Sequence, residues 1–320
     1  MRIIQPSMKT TSRSHDRPLA GHALAGEPIR RQFLSRRHFL AAAATAGAAG
    51  VGLSAYAFGP AATTVELTRH DLRVPGLAPA LHGLRIAHVS DVHLPANEVA
   101  VRHALALLEA ERPEVVILTG DIVERYHALD VLIEFARRAR GTVGTYAVMG
   151  NWERAGGIQP GDARSAYAAA GVQFLCNETA VLKVGSGRLG IVGLDDWLAG
   201  QPDVVKTLQH ADGADAMVWA LHAPGFADLI PADAPAALVL GGHTHGGQIR
   251  LPLLPAIRPS GSGRFLEGWY DTPAAPLYVS RGVGTTNIRA RFRCPAELPL
   301  FTLTHRGLSI ASPAVPAIKS

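Results

Sequence analysis

The stretch Gly241-Gly242-His243-Thr244-His245-Gly246-Gly247-Gln248 decides how the rest of this chain is interpreted. It follows the apolar run 236–240, which predicts a buried strand. The glycines predict a turn at the end of that strand, because glycine has no Cβ and allows a close approach of the backbone. On such a turn the two imidazoles can converge on one metal ion or serve two neighbouring ions. The alternative is a pair of histidines in a surface loop, and the upstream sequence decides between the two.

The positive charge of the chain is concentrated at its N-terminus. The 320 residues are 48% hydrophobic and 18% charged and carry a formal net charge of +5, so a full-sized α/β core is possible. Residues 1–57 contain eight basic and two acidic side chains, which leaves 23 basic and 24 acidic side chains in residues 58–320. We therefore expect one folded domain over 58–320 and no nucleic-acid partner, because the bulk of the chain has no basic excess.

The N-terminal segment has the features of an export signal. Ser35-Arg36-Arg37-His38-Phe39-Leu40 matches a twin-arginine signature, and no charged residue follows it until Glu66. Ala55-Tyr56-Ala57 fits a small-x-small cleavage site. We interpret residues 1–57 as a twin-arginine signal peptide or retained anchor, with a plain transmembrane anchor as the alternative. The twin-arginine translocase is then a partner during export, and the expected location is the periplasm or the outer face of the inner membrane.

The chain has only two cysteines, Cys176 and Cys294. An oxidising compartment would permit a disulfide between them, but their spacing does not show that they meet. We expect two separate buried thiols.

Apolar runs and helical patterns alternate from residue 84 onward. The predicted strands are 84–90, 115–118, 145–149, 172–175, 180–184, 189–194, 217–221, 236–240 with a continuation at 248–251, 277–280 and 300–304. The predicted helices are 97–111, 129–140, 163–170 and 203–210, and residues 249–270 predict a long loop or lid. In the first helix Asn97 is the expected N-cap. This order predicts an α/β fold with helices packed outside sheets.

Polar side chains follow the predicted strands at their carboxyl ends, where the loops of α/β sheets form a ligand crevice. The collected donors are Asp91, His93, Asp121, Asn151, His222, His243 and His245. Oxygen and nitrogen donors of this kind suit divalent Mn, Fe or Zn. Seven donors are too many for one ion and fit two ions that share one carboxylate. Two ions about 3.5–4 Å apart can activate a water and clamp an in-line phosphoryl displacement. We interpret His82, His88, His103 and His210 as structural.

The ordered blocks Asp-x-His, Gly-Asp, Gly-Asn, a single His and Gly-His-x-His resemble the calcineurin-like metallophosphoesterases over about residues 84–305. The opening stretch and Ser280-Arg281-Gly282-Val283-Gly284 resemble the exported or membrane-associated bacterial phosphohydrolase branch of that family. The resemblance implies a four-layer αββα sandwich of two facing mixed sheets flanked by helices. It also implies that residues 58–320 form the catalytic domain.

The resemblance further implies how two metal ions are shared between the donors. Asp91, His93 and His245 would hold the first ion. Asn151, His222 and His243 would hold the second, and Asp121 would bridge the two. Asp121, Asn151 and His222 are the expected catalytic residues. A metal-activated hydroxide would be the nucleophile, so the reaction needs no serine or cysteine nucleophile.

The position after Asn151 departs from the family pattern. Many members have a histidine there that orients or protonates the reacting phosphate group, whereas this chain has Trp152 followed by Glu153. An indole can donate one N–H bond but cannot transfer a proton at ordinary pH. Trp152 therefore favours substrates with good leaving groups, unless another histidine or a metal-bound water supplies the proton. Stacking of Trp152 on a base or sugar is a further alternative.

Two other groups of residues stay open on the sequence alone. Asp195 and Asp196 follow a predicted strand, and they either line the site or cap the next helix. Trp197, Trp219 and Trp269 are candidates for the core.

The sequence thus predicts a dinuclear-metal phosphoesterase that acts on phosphodiesters, pyrophosphates or related phosphate esters. Relatives of the resembled branch are linked to lipid-linked pyrophosphates such as UDP-diacylglucosamine, which is made in the cytoplasm and conflicts with an export signal. The substrate therefore stays open, with a lipid-linked ester and association with the inner membrane included. The alternative is a non-catalytic, metal-dependent binding or sensor module at the membrane surface, which Trp152 alone favours.

Overall fold

The apolar runs form most of the strands of two six-stranded sheets in a computed structural model, which describes residues 45, 47, 50–209 and 211–305. The strands are β1 (Val65–Arg73), β2 (Arg85–Val89), β3 (Val115–Thr119), β4 (Gly144–Val148), β5 (Gln173–Phe174), β6 (Glu178–Val184), β7 (Gly187–Gly193), β8 (Ala216–Ala220), β9 (Leu238–Gly241), β10 (Gly268–Tyr270), β11 (Leu277–Val279) and β12 (Ala296–Thr304). Their burial differs with position, and β3, β8 and β9 are buried along their whole length.

Both sheets are mixed, and their central strands run parallel. The first sheet has the order β1-β12-β2-β3-β4-β5, in which β2 to β5 are parallel and β12 runs antiparallel to β2. The second has the order β10-β11-β9-β8-β7-β6, in which β6 and β10 are antiparallel edge strands. The carboxyl ends of β2, β3 and β4 therefore lie at one edge of the first sheet, as those of β8 and β9 do in the second.

Helices cover the outer faces of the sheets. Residues 50–58 are helical (α1), and the later helices are α2 (Pro60–Thr63), α3 (Glu98–Glu111), α4 (Leu129–Arg138), α5 (Asn151–Ala155), α6 (Pro160–Ala169) and α7 (Val204–Leu208). In α3, Val101, Leu105 and Leu108 are buried on one face, as their spacing predicts. The helix ends one residue before Arg112, which adopts a left-handed conformation ahead of Pro113.

Three apolar clusters separate the layers. One lies between α3, α4, α6 and the outer face of the first sheet. The second lies between the sheets, where Ile117 of β3 belongs to the same cluster as Val218 and Leu240 of the second sheet. The third covers the outer face of the second sheet and includes Trp219. This arrangement confirms an α/β sandwich of two mixed sheets flanked by helices.

Two strands, β1 and β10, and three helices, α1, α2 and α5, were not expected from the sequence. Four charged side chains interrupt β1, which pairs in parallel with β12 at the edge of its sheet, so its apolar signal is weak. The three residues of β10 and the five of α5 are too short for a periodic pattern. The 248–251 continuation is no strand, because it holds only an isolated bridge between Ile249 and Phe292.

Asn97 occupies the N-cap position of α3 but does not cap it through its side chain. Its amide nitrogen instead donates to the carbonyl oxygens of Val92, His93 and Thr285, at 3.0, 3.2 and 3.1 Å. The prediction that the Asn97 side chain caps α3 is therefore wrong, although the position is correct. Asn97 ties the loop after β2 to the loop around Thr285.

The cysteines and tryptophans depart partly from the expectations. Both cysteines are free thiols, but only Cys294 is buried and Cys176 is half-buried. Trp219 lies in the core, whereas Trp269 is half-buried and Trp197 is 38% exposed, so Trp197 is not a core residue.

Most of the N-terminal segment interpreted as an export signal lies outside the described residues, and so does His210. The twin-arginine motif at 35–40 belongs to that part. In the part of the chain that is described, no helix has the length and apolarity to cross a membrane.

Candidate metal centre

The predicted donors sit on loops that leave parallel strands of both sheets. Asp91 and His93 follow β2, and Asp121 follows β3. Asn151 follows β4 and is the first residue of α5. His222 follows β8 at the corresponding edge of the second sheet, and His243 and His245 follow β9. All except the half-buried Asn151 are buried.

Six of these side chains form two groups whose donor atoms lie within 4.8 Å of one another. The first group is Asp91, His93 and His245, and the second is Asp121, His222 and His243. The first group consists of the residues that the family resemblance assigns to one ion, and the second joins His222 and His243 to Asp121, the carboxylate expected to bridge.

In the first group two imidazole nitrogens face each other. His93 Nε2 lies 3.0 Å from His245 Nε2, and His245 Nε2 lies 3.5 Å from Asp91 Oδ1. The other ring nitrogen of His93, Nδ1, lies 3.1 Å from Glu124 Oε1, so an Nδ1–H donates to that carboxylate and leaves a lone pair on Nε2. Burial is the largest cause that holds the pKa of His245 well below its usual value, so His245 is neutral.

In the second group hydrogen bonds to carbonyl oxygens fix the tautomers. His222 Nδ1 donates to the carbonyl oxygen of Thr119 at 2.8 Å, and His243 Nε2 donates to that of Ser260 at 2.6 Å. The remaining nitrogens, His222 Nε2 and His243 Nδ1, are 3.2 Å apart. His222 Nε2 also lies 3.1 Å from Asp121 Oδ2 and 3.0 Å from Asn151 Oδ1.

These contacts place several acceptor lone pairs around one point. Neutral His222 and His243 would have only acceptors facing them, so a cation is needed to stabilise the arrangement. Burial disfavours the charged form of His222, but the Asp121 carboxylate outweighs burial and raises the pKa of His222 well above its usual value. The carboxylates and lone pairs of this site therefore stabilise a positive charge, and the chemistry of the donors fits divalent metal ions.

The backbone around the donors is held in uncommon conformations. Five of the seven donor residues have positive φ, namely Asp91 (55°), His93 (52°), Asp121 (54°), His243 (70°) and His245 (50°). Such angles are rare outside glycine and cluster at functional sites. A Cβ on Gly242 would lie 2.5 Å from Asp91 Oδ2, and one on Gly150 would lie 2.2 Å from Asp121 Oδ1. The glycines of the motifs therefore make room for the carboxylates.

Two acidic residues near the centre, Glu124 and Glu153, were not predicted from the sequence. Glu124 contacts His93, as described above. Glu153 is buried, and its Oε2 accepts hydrogen bonds from the backbone nitrogens of Asp121 and Gly150, at 2.9 and 3.0 Å. Its Oε1 accepts from Ile122 at 2.6 Å. The spacing of Gly150 and Glu153 around a helix start was the available signal.

The carboxylate of Glu153 therefore fixes the two loops that carry Asp121 and Asn151. Burial, and then the nearby Asp121 carboxylate, raise the pKa of Glu153 to about 7. Hydrogen bonds from the amides of Ile122 and Asp121 partly offset that rise.

Glu153→Gln is expected to destabilise the fold by about 1–3 kcal/mol, because one carboxylate oxygen becomes an NH2 group that faces backbone donors. The unfolding temperature should fall by on the order of 5 °C in a thermal melt followed by circular dichroism. Glu134→Gln on the exposed side of α4 is the matched control and should change the melt little. Equal melting temperatures for the two variants would contradict this role of Glu153.

Trp152 lies at the mouth of the centre. Its backbone nitrogen donates to Asp121 Oδ1 at 2.8 Å, and its ring is edge-on to His93 with the centroids 5.8 Å apart. The side chain lines a pocket of about 340 Å³ together with His243, His245 and the apolar Ile257 and Ile288. The pocket thus combines candidate metal donors with an apolar wall.

The carboxylates of Asp195 and Asp196 accept hydrogen bonds from the backbone of a loop near the centre. Asp195 forms an ion pair with Arg154 at 2.6 Å and accepts from the backbone nitrogen of Gln201. Asp196 Oδ2 accepts from the backbone nitrogens of Leu198 and Ala199, at 3.0 and 2.7 Å. They therefore cap a turn, while α7 itself is capped by Asp203.

His88 and His103 make contacts of a structural kind. His88 Nε2 lies 2.7 Å from Thr119 Oγ1, and burial lowers the pKa of His88 to about 3, so its ring is neutral. His103 Nδ1 accepts from the backbone nitrogen of Val65 at 3.0 Å. His82 is exposed.

Comparison with known proteins identifies the family. Residues 84–247 match the profile of the calcineurin-like phosphoesterases. The chain is 30% identical to YkuE of Bacillus subtilis, an uncharacterized metallophosphoesterase, over 86% of this chain and 97% of the relative. It is 29% identical to the phosphodiesterase YaeI of Escherichia coli, over 84% and 99% of the two chains. Among solved structures, the sulfate thiohydrolase SoxB of Thermus thermophilus is similar, with 16% identity, coverage of 71% and 58%, and a TM-score of 0.41.

The profile match spans the five motif blocks, and these two relatives are covered over nearly their full length. The chain belongs to the calcineurin-like phosphoesterase family and is a metal-dependent phosphohydrolase.

Proposed function

We propose that the chain hydrolyses phosphodiesters or pyrophosphates at two divalent ions held by the seven donors. The proposal rests on one observation. Loops that follow strands of the first sheet and loops that follow strands of the second sheet bring their acceptor lone pairs together. Asp121 lies between the groups, because its Oδ2 is 3.1 Å from His222 Nε2 and 3.8 Å from His93 Nε2. A bridging carboxylate fits this position.

Asp91, His93 and His245 would hold the first ion, and Asn151, His222 and His243 the second. When bound, two such ions activate a water as the nucleophile and neutralise charge on the phosphate. The metal is Mn, Fe or Zn on the chemistry of the donors.

The chain's own groups keep the donors in place for that reaction. The main chain of His243 donates to both carboxylate oxygens of Asp91 at 3.0 Å, which couples the loops of the two sheets. The carbonyl oxygen of Thr119 orients His222, and the amide of Trp152 orients Asp121. Asp121, Asn151 and His222 are therefore proposed as the catalytic set, since all three surround one donor cluster.

The apolar wall of the pocket favours phosphate esters whose second substituent is apolar. Trp152, Ile257 and Ile288 line the wall beside His243. A diester or pyrophosphate can place its phosphate at the donors and its second group against this wall. The similar E. coli protein is named a phosphodiesterase, which supports the diester class.

The test is metal-reconstituted hydrolysis of an aryl phosphodiester and the matching aryl monoester. Chelator-treated protein would be assayed with Mn, Fe or Zn added singly. Metal-dependent turnover with preference for the diester is expected. If the chain binds metal but turns over neither ester with Mn, Fe or Zn, the proposal is contradicted. The non-catalytic binding or sensor module would then be supported.

We further propose that the chain is exported by the twin-arginine translocase and acts in the periplasm or at the outer face of the inner membrane. The motif at 35–40, the uncharged run after it and the Ala55-Tyr56-Ala57 site support this proposal. The exported or membrane-associated branch of the family is part of the same proposal.

Replacing Arg36 and Arg37 with lysine is expected to block export, because the receptor reads the arginine pair rather than its charge. Fractionation of cells followed by immunoblotting would show the variant in the cytoplasm. The matched control is the change of Arg30 and Arg31 to lysine, which lies upstream of the motif and should leave export intact. Wild-type chain in the periplasm of cells without the translocase would show that another route is used.

A further inference from the structure

The loop after the Gly-rich stretch presents leucines to solvent beside the metal centre. Residues 249–266 lead from His245 and its glycines to β10. In its Pro252-Leu253-Leu254-Pro255 segment, Leu253 is fully exposed at 103% and Leu254 at 62%, and Ile257 is 75% exposed. Leu253 also has a positive φ of 65°, which is uncommon for a non-glycine residue. Contiguous exposed apolar side chains of this kind mark interaction sites.

A second segment brings further apolar surface to the same mouth. Ile288 is exposed and lines the 340 Å³ pocket together with Ile257. The side chain of Gln248 joins the two segments, because its Nε2 donates to the carbonyl oxygens of Thr286 and Ile288 at 3.2 and 2.8 Å. Ile257, three residues after Leu254, lines the pocket that contains His243 and His245, so the leucines belong to the same loop as the pocket wall.

The apolar N-terminal helix ends beside this mouth. The backbone nitrogen of Arg291 donates to the carbonyl oxygen of Ala57 at 3.0 Å. Phe58 and Arg289 line one hollow of about 320 Å³, and Val51, Leu53, Tyr56 and Phe58 are exposed. The exposed face of α1 thus continues toward the surface around Ile288.

The charged side chains of these three segments are all basic, and they lie in two of the segments. Residues 50–65 contain no formally charged side chain, whereas residues 249–266 and 281–293 contain arginines and no aspartate or glutamate. Arg258, Arg289 and Arg293 are exposed, and within the described ranges no carboxylate pairs with them. We call the exposed parts of these segments the apolar-basic rim.

We propose that the apolar-basic rim rests on the surface of a bilayer that contains anionic phospholipid. Leucine and phenylalanine side chains would enter the boundary between headgroups and acyl chains, and the arginines would lie at the anionic headgroups. The metal centre then faces the membrane, and the phosphate of a lipid-linked ester can reach its donors. This last step rests on the proposed phosphoesterase function, whereas bilayer contact does not.

The test places an environment-sensitive fluorophore at the rim of the full-length, metal-loaded chain. Leu253→Cys offers an exposed thiol, while Cys294 is buried and burial raises the pKa of Cys176 to about 11. Maleimide labelling at neutral pH is therefore selective for the new site. Mixed phosphatidylcholine and phosphatidylglycerol vesicles should shift the emission to the blue, and nitroxide-labelled acyl chains should quench it.

The matched control carries the same label at Val205→Cys. Val205 is exposed on α7, which packs on β6 and β7 at the edge of the second sheet opposite β10. Its emission should not change on vesicles, whatever residues 1–57 contribute to binding. Equal quenching at both positions, or none at Leu253→Cys, would overturn the proposal. A concentration-dependent dimer that shields Leu253→Cys without vesicles would overturn it in favour of a second copy.

The arginines provide a second measurement. Arg258→Gln with Arg289→Gln should lower the affinity for phosphatidylglycerol-containing vesicles by about 25-fold, since each arginine near such a surface contributes roughly fivefold. Unchanged dependence on phosphatidylglycerol would contradict the charge part of the proposal. Hydrolysis of the soluble aryl diester is assayed in parallel. If turnover is absent and the rim is still quenched, only the proposed function has failed.

Discussion

Asp121→Asn is expected to lower kcat/KM by about a thousandfold or more and to release much of the bound metal. The carboxylate lies between the two donor groups, 3.1 Å from His222 Nε2 and 3.8 Å from His93 Nε2. Asparagine keeps the shape but removes the negative charge that a bridging ligand supplies. Metal ions contribute several kcal/mol of transition-state stabilisation, and each 1.36 kcal/mol is tenfold in rate.

Metal analysis by mass spectrometry and steady-state kinetics on the aryl diester would check this result. The wild type should contain two ions per chain. Asparagine can still accept the hydrogen bond from the Trp152 amide, so the variant should fold normally. Asp130→Asn, on the exposed side of α4, is the control and should keep both metal and rate. One ion in the wild type, together with an active Asp121→Asn, would eliminate the dinuclear proposal.

The parts of the fold with strong local signals could be predicted from the sequence. The runs 115–118 and 146–149 are apolar, and the strands predicted over 115–118 and 145–149 are β3 and β4 with shifts of one residue. In contrast, β1 depends on its pairing with β12, more than 200 residues away, and its charged side chains mask that contact. Trp197 was misplaced because its exposure depends on how the loop after β7 packs.

The candidate site followed from topology rather than from any single motif. Parallel strands bring their carboxyl ends to one edge, so donors after β2, β3 and β4 had to meet. The supporting shell could not be predicted in the same way. Glu153 contacts Asp121 across 32 positions of sequence, and Glu124 contacts His93 across 31. Such pairs depend on the turn geometry of two loops, which positive φ values at Asp121 and His93 set.

The second large effect concerns Trp152, which stands where the family resemblance implies a histidine. Its ring lies 5.8 Å from the ring of His93 and lines the pocket at the mouth of the centre. An indole cannot deliver a proton, and general-acid help is typically worth about 10²–10⁴-fold. The wild type should therefore hydrolyse alkyl diesters slower than aryl diesters by roughly that factor, beyond the intrinsic difference between the esters.

Trp152→His is expected to raise the rate on alkyl diesters by on the order of tenfold and to change aryl diesters little. The gain stays below the full general-acid range because the pocket is built around an indole. The measurement is a series of diesters of graded leaving-group pKa, run on both proteins. The slope of log kcat/KM against leaving-group pKa should be shallower for the variant.

Trp152→Phe separates proton delivery from stacking on the substrate. Phenylalanine keeps an aromatic face but transfers no proton, so its slope should equal that of the wild type. If Trp152 instead stacks on the substrate, Trp152→His should mainly raise KM whatever the leaving group, and Trp152→Phe should largely preserve KM. Parallel lines for wild type and Trp152→His would exclude the missing-acid explanation. The chain would then need another source for the proton, since an alkoxide leaves slowly without one.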